Sequence, residues 1–375
     1  MQTQCSAEQR EFSCLGHRRV VAAFDGGQVV SDAGVLLLKR TDEAIRLVDR
    51  LADCFVDGRA QSSVEHSVRT LVGQRVFGIA AGYEDLNDHD ALRNDPLWGT
   101  VIGKLEAKRS DCAPLAGKST LNRLELSVAG ALTRYHKVGH DAEAIEGLFV
   151  DVFLEAHWRA PRQIVLDLDA TDDPLHGDQE GRFFHGYYDA YCYLPLYIFC
   201  GRHLLVAKLR RSNLDASAGA VEEVERVVGQ IRARWPKVRI ILRADSGFAR
   251  EPLMSWCERQ GVDYVFGLAR NKRLQKRLKA ALKEAERAGR RSGRPARVFR
   301  EFRYATLKTW SRRRRVIGKA EQIGDKANPR FIVTSLSEEE WEGQRLYERF
   351  YCARGVALHV NLDKTPSLRW ETFTA

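Results

Sequence analysis

The chain has 375 residues, 44% hydrophobic and 29% charged, a balance that excludes wholesale disorder and allows a sizeable core over two or three structural units. No apolar run reaches the roughly 18 residues a membrane span needs, and MQTQCSAEQREF carries no apolar signal region, so no membrane partner is expected. The net charge of +10 is uneven: residues 270–319 hold 20 Lys/Arg against Glu284, Glu286 and Glu301, a local +17 that leaves −7 elsewhere.

In chain order, residues 1–150 read as a short β element followed by helices. Val20–Ala23 and Gln28–Val30 flank Asp25-Gly26-Gly27, a hairpin signal. Helical spacing then runs through Val35–Leu51, Val64–Ala81, Leu121–Tyr135 and Ala142–Glu155. From Pro161 the texture changes. Arg162–Asp169, Tyr191–Cys200, His203–Leu209, Val238–Leu242 and Val262–Leu268 read as strands, the second and third joined by Gly201-Arg202. Helices are expected after Asp215 or Ser217 and over Glu251–Gln260. The order β-β-β-α-β-α-β over 151–269 predicts a mixed α/β sheet, antiparallel first and then crossing over through helices.

The basic segment, 270–336, opens as a helix at Leu274–Ala288, crosses a Gly289–Pro295 linker and becomes strands at Val298–Tyr304, Val316–Ala320 and Phe331–Thr334. Blocks of like charge repel unless a polyanion neutralises them, which points to nucleic acid. Arg270, Lys272, Arg273 and the run Arg312, Arg313, Arg314, Arg315 are the expected phosphate contacts. Phe299, Phe302, Tyr304 and Trp310 interleave with arginines, which suits either base stacking or the segment's own core. Over 337–355, Ser337-x-x-Glu340 reads as a capping box opening a last helix through Tyr351 and Arg354.

Two acids stand out by position. In I-V-L-D-L-D-A-T, alternation puts Asp167 and Asp169 on one face near a strand end. Asp245 ends the strand at Val238–Leu242, where Ser246-Gly247 turns the chain. If these strands are neighbours, Asp169 and Asp245 converge, and Asp167 is a further candidate ligand. Paired carboxylates suit a hard cation such as Mg²⁺. Acids at strand ends are also common turn formers. The eight cysteines form no C-x-x-C pair and the ten histidines no H-x₃₋₅-H group, so zinc is not expected. Gly117-Lys118-Ser119 lacks the strand and first glycine of a phosphate loop. His176 and His185 sit in loops after the first acid and stay unassigned.

The linked runs I-V-L-D-L-D-A-T-D-D-P-L-H-G-D-Q-E-G, Y-Y-D, Y-L-P-L-Y-I-F-C-G, R-W-P, R-A-D-S-G-F-A-R-E and G-L-A-R-N-K resemble the DDE transposases of bacterial insertion sequences, those of the insertion-sequence-1380 family above all. The likeness runs from about Phe24 to Gly355. It implies a ribonuclease-H-like catalytic core, a β insertion before the last helix and an N-terminal region that binds DNA ends. It further implies Mg²⁺- or Mn²⁺-dependent cleavage and strand transfer, with Asp169 and Asp245 as catalytic acids and metal ligands. The implied partner is double-stranded DNA, both transposon ends and target, held by a homodimer in the bacterial cytoplasm at the nucleoid.

One departure matters. Relatives carry a third acid in Y-x₂-R-x₃-E-x₆-K, whose first three members share a helix face. Tyr351 and Arg354 match, Arg354 being a further DNA-binding candidate, but Leu358 holds the glutamate position and Thr365 the lysine position. From Val356 the chain alternates like a strand, so 356–375 reads as a non-family tail from a frameshift or fusion. Glu348 is a candidate substitute, although it lies ten residues before Leu358, about 15 Å along a helix. Binding with little or no strand transfer is therefore expected. A non-catalytic remnant that inhibits intact transposase, or a nuclease that does not join ends, are the competing readings.

Overall fold

The computed structural model describes residues 10–15, 18–22, 32–175, 177–323 and 326–354. They belong to two compact units, one of Met1–Val48 with Ala60–Leu124 and one of Asp49–Arg59 with Glu125–Ala375. In the first unit Arg10–Leu15 pairs antiparallel with Arg18–Ala22. The Asp25-Gly26-Gly27 turn and Gln28–Val30 lie outside the described residues. Helices follow at Val35–Ile45, Val68–Ala80, Pro96–Ile102 and Lys118–Glu125. The first stops where Arg46 takes a left-handed φ of 54°. Trp98 is fully buried, and its indole shares Asp32 with the Tyr83 hydroxyl at 3.3 and 2.8 Å.

The second unit is built on one mixed sheet. Its elements are α1 (Ala142–Glu155), β1 (Gln163–Ala170), β2 (Leu196–Cys200), β3 (His203–Lys208), α2 (Ala220–Arg234), β4 (Arg239–Ala244), α3 (Glu251–Gln260) and β5 (Asp263–Leu268). Then come α4 (Lys272–Ser292), β6 (Ala296–Tyr304), β7 (Arg314–Ile323) and β8 (Arg330–Thr334). Strand order is β3-β2-β1-β4-β5-β8-β7-β6. β2 runs antiparallel to β3 and β1, β4 runs parallel to β1 and β5, and the remaining pairings are antiparallel. The expected mixed α/β sheet is present. The basic segment's strands extend it rather than forming a sheet of their own.

Period-2 alternation divides the sheet's side chains. Ile164, Leu166 and Leu168 of β1, Ile240, Leu242 and Ala244 of β4, and Tyr264 and Phe266 of β5 pack into one core with α1 to α4. The other face carries Val165, Ile241, Val265, Ile317 and Ile332, covered by Leu346, Tyr347 and Phe350 of the last helical segment. That segment differs from expectation. Ser337 and Glu340 form only a turn, while Glu342 caps Gly343–Arg345, which passes into a π-helical turn over Leu346–Tyr351. Pro195 also divides the expected Tyr191–Cys200 strand. Its first part, Ala190–Tyr193, joins a small separate sheet with Asp173–Pro174 and Phe183–His185.

Arg314 and Arg315 correct the reading of the arginine run. Arg314 is 2% exposed and donates to Glu251 and Glu258 of α3, each at 2.6 Å. Arg315, 6% exposed, donates to Glu301 and to the carbonyls of Leu336, Ser337 and Trp341. Both pin β7 to neighbouring elements and are closed to a phosphate. Burial pushes the Glu251 carboxyl up, but hydrogen bonds from Arg314, Ser255 and Ser311 outweigh it and hold it at about 2. That depressed value means its stabilisation is full above the ordinary 4.5 and is lost as pH falls towards 2. Glu251→Gln should therefore flatten the loss of urea stability across that window. Arg314→Met strands two carboxylates and should cost about 3 kcal/mol or more at neutral pH. An unchanged urea midpoint would refute the latter.

Candidate active site

β1 and β4 lie side by side with Asp167 opposite Arg243 and Leu168 opposite Ala244. One residue further brings Asp169 and Asp245 level, on strands about 4.8 Å apart. The structure thus brings together the two acids singled out in the sequence. Asp245 leaves the strand into a tight turn, where one carboxylate oxygen accepts the Gly247 N–H at 2.8 Å. This fixes the side chain and leaves its second oxygen for another partner. Asp169 sits opposite Tyr197 of β2, and the Nη1 of Arg354 approaches its Oδ1 at 4.0 Å. That nitrogen is buried without a hydrogen bond. Arg354, one of the expected DNA contacts, therefore stands beside the acid pair.

Two further residues belong here that sequence reasoning did not assign. Burial pushes the Tyr188 phenol up to about 12, with Asp172, Asp169 and Asp245 adding to the rise, so this hydroxyl lies in the field of three carboxylates. Tyr188 and Asp172 both fall inside quoted motifs (Y-Y-D and D-A-T-D-D), but nothing in the spacing shows that the loop folds back over the strand ends. His185 lies against Tyr188, with ring centroids 4.9 Å apart and planes tilted by 44°. His176 lies outside the described residues. Opposite, Tyr351 reaches Gly267 of β5, where an added Cβ would stand 2.6 Å from the phenol oxygen and 2.8 Å from the Ser246 nitrogen. Only glycine lets the tyrosine and the Asp245 turn approach this closely.

Asp167 needs correction as a metal candidate. It is 1% exposed, and both oxygens accept from Arg243, at 2.5 and 2.7 Å. The remaining Arg243 donor reaches the Phe350 carbonyl at 2.6 Å. Burial raises the Asp167 carboxyl, opposed by the Arg243 hydrogen bonds and charge. Alternation correctly puts Asp167 on the face of Asp169, but the cross-strand arginine takes its lone pairs. It clamps β1, β4 and the last helical segment together.

Among the other expected contacts, Arg270, Lys272, Arg273, Arg312 and Arg313 are exposed. Arg273 also lies over the Tyr304 ring at 5.2 Å and donates to the Ala305 carbonyl. Arg312 approaches Glu258 at 3.3 Å. Tyr304 is buried, and Phe299, Phe302 and Trp310 pack partly buried against core, so all four aromatics serve the interior. Glu348 is held by Arg297 and Gln344. Leu358 lies outside the described residues. Among those described, no three or more His, Cys, Asp or Glu gather as metal ligands, and no helix is long and apolar enough to cross a membrane.

The model of the family described as Transposase DDE domain group 1 matches residues 12–360, and the chain belongs to that family. It carries a DDE transposase domain, which makes DNA the substrate class and a divalent metal the usual cofactor. A search of curated proteins found no match.

The clamp generates a direct test. Arg243→Met leaves the Asp167 charge buried and unpaired and should cost about 3–5 kcal/mol of stability. The double change Arg243→Met with Asp167→Leu should recover most of that loss. If the double variant is as unstable as the single, the pairing is not what holds these elements.

Proposed function

We infer that this transposase domain is ribonuclease-H-like and that Asp169 and Asp245 are its first two catalytic acids. The observation that carries the reading is the register of β1 against β4, which sets both carboxylates at one end of adjacent parallel strands. Strand order β3-β2-β1-β4-β5, with the first three antiparallel, supports the fold assignment. The donor set fits Mg²⁺ or Mn²⁺: two hard carboxylates on a fixed frame, with an Asp245 oxygen uncommitted to the turn. Bound there, the ion would polarise a phosphate oxygen and activate the attacking hydroxyl. Asp169 and Asp245 would hold it, while the Gly247 N–H orients Asp245 and Tyr188 lines the approach with a neutral phenol. Arg354 faces the phosphate and balances the acids' charge.

The duplex ligands are the transposon ends and target DNA, held by a homodimer, with Arg270, Lys272, Arg273, Arg312 and Arg313 as exposed phosphate contacts. Leu358 in the glutamate position leaves the site one carboxylate short of its family's motif. We attribute this, with the alternating run from Val356, to a frameshift within an element of the insertion-sequence-1380 kind. Two acids fix a pair of ions poorly, so DNA is bound with little strand transfer. The second reading, a binding remnant that inhibits intact transposase, rests on Leu358 in the glutamate position.

The test is incubation of the purified protein with Mg²⁺ or Mn²⁺ and duplexes taken from the gene's flanking DNA. Duplex binding with at most trace cleavage is expected, any trace vanishing in Asp169→Asn and Asp245→Asn. Robust cleavage would refute the impairment. Cleavage that survives both substitutions would refute the site.

A further inference from the structure

The longest helix among the described residues, α4, presents two opposed stripes. At 100° per residue, Leu274, Leu278, Ala281 and Ala285 fall on one line, and all four are buried against the sheet. Leu278 lies so close to β7 that a Cβ at Gly318 would meet its Cδ1 at 2.8 Å. The helix is thereby seated rigidly. Lys272, Lys276, Lys279, Lys283 and Arg287 fall within an arc of about 80° on the opposite side, and all five are exposed. They span sixteen residues of helix, about 22 Å.

A merely solvated face would interleave its signs, because i,i+4 pairs of opposite charge support a helix and like pairs oppose it. Here Lys272 with Lys276, Lys279 with Lys283, and Lys283 with Arg287 are like-charged i,i+4 pairs. The helix's two acids are committed elsewhere: Glu284 to Arg300 at 2.5 Å and Glu286 to Arg290 at 2.7 Å. Among the described residues no carboxylate pairs with the five. The repulsion is built in and awaits an external polyanion.

We propose that this stripe is a docking surface for the phosphate backbone of duplex DNA, read without regard to sequence. The proposal rests on the DNA reading above, which names only Lys272 of these five, and adds Lys276, Lys279, Lys283 and Arg287 as one continuous surface. α4 covers the sheet face opposite the Asp167–Arg243 clamp, and its stripe points away from the sheet. The duplex it holds is therefore a different stretch from the one offered to the acid pair. Four of the five are lysines, compact point charges on flexible stems that suit a phosphate rather than the fixed edge of a base.

The experiment is fluorescence anisotropy of the full chain with a labelled random-sequence duplex over a range of NaCl, for wild type and for K276Q/K279Q/K283Q/R287Q. Glutamine keeps helix propensity, and circular dichroism checks that the fold survives. Each neutralised phosphate contributes about 0.9 to the slope of log affinity against log salt, so the quadruple change should lower it by about three to four. The double variant K279Q/K283Q should lower it by about half as much and covers the case in which the quadruple fails to fold. Wild-type binding with an unchanged slope in folded variants overturns the stripe and leaves the DNA reading standing. Wild type that binds no duplex overturns the DNA reading and the stripe with it. Loss of binding to phosphatidylserine vesicles with unchanged DNA binding identifies a membrane surface and overturns the proposal.

Discussion

The three-way contact of Asp167, Arg243 and the Phe350 carbonyl is the constraint on which the site's geometry depends. Two ions buried between a sheet and a helix carry a large desolvation cost, which only near-ideal bidentate geometry offsets. That geometry exists because the two residues are direct cross-strand partners on parallel β1 and β4. The same register, carried one step further, levels Asp169 with Asp245. Arg243 also ties the sheet to the segment that bears Tyr351 and Arg354, so the elements facing the acids are fixed by a single guanidinium. A purely apolar pair would give comparable stability with less directional control, which accounts for ions at this position.

Much of this arrangement was legible in the sequence, and the legible part follows one rule. Strand patterns ending in acids identified β1 and β4, because apolar alternation and a following turn are local signals. The order of elements gave the mixed sheet for the same reason. What failed required knowledge of distant partners. Asp167 and Asp169 look equivalent in I-V-L-D-L-D, and only the register against Arg243 separates them. Arg314 and Arg315 look identical to Arg312 and Arg313, yet their carboxylate partners come from α3 and from β6. Tyr188 was invisible because its role depends on how a loop with little periodicity returns to the strand ends.

The basic segment shows that a charge count is not a charge map. Partly buried acids draw Arg314 and Arg315 into the structure, and the buried Glu321 draws in Arg297 in part. The surplus that remains lies on α4 and in the loop around Arg312 and Arg313. The segment is therefore both scaffold and surface: its strands lengthen the central sheet while its helix carries the solvent-facing cations.

The account's central claim is that Asp169 and Asp245 share one cation. Crystals soaked in Mn²⁺ and measured at a wavelength where manganese scatters anomalously test it most directly. A single anomalous peak within coordinating distance of both carboxylates, with Asp167 still on Arg243, is the predicted result. No peak there, or one that engages Asp167 in place of Asp245, would contradict it.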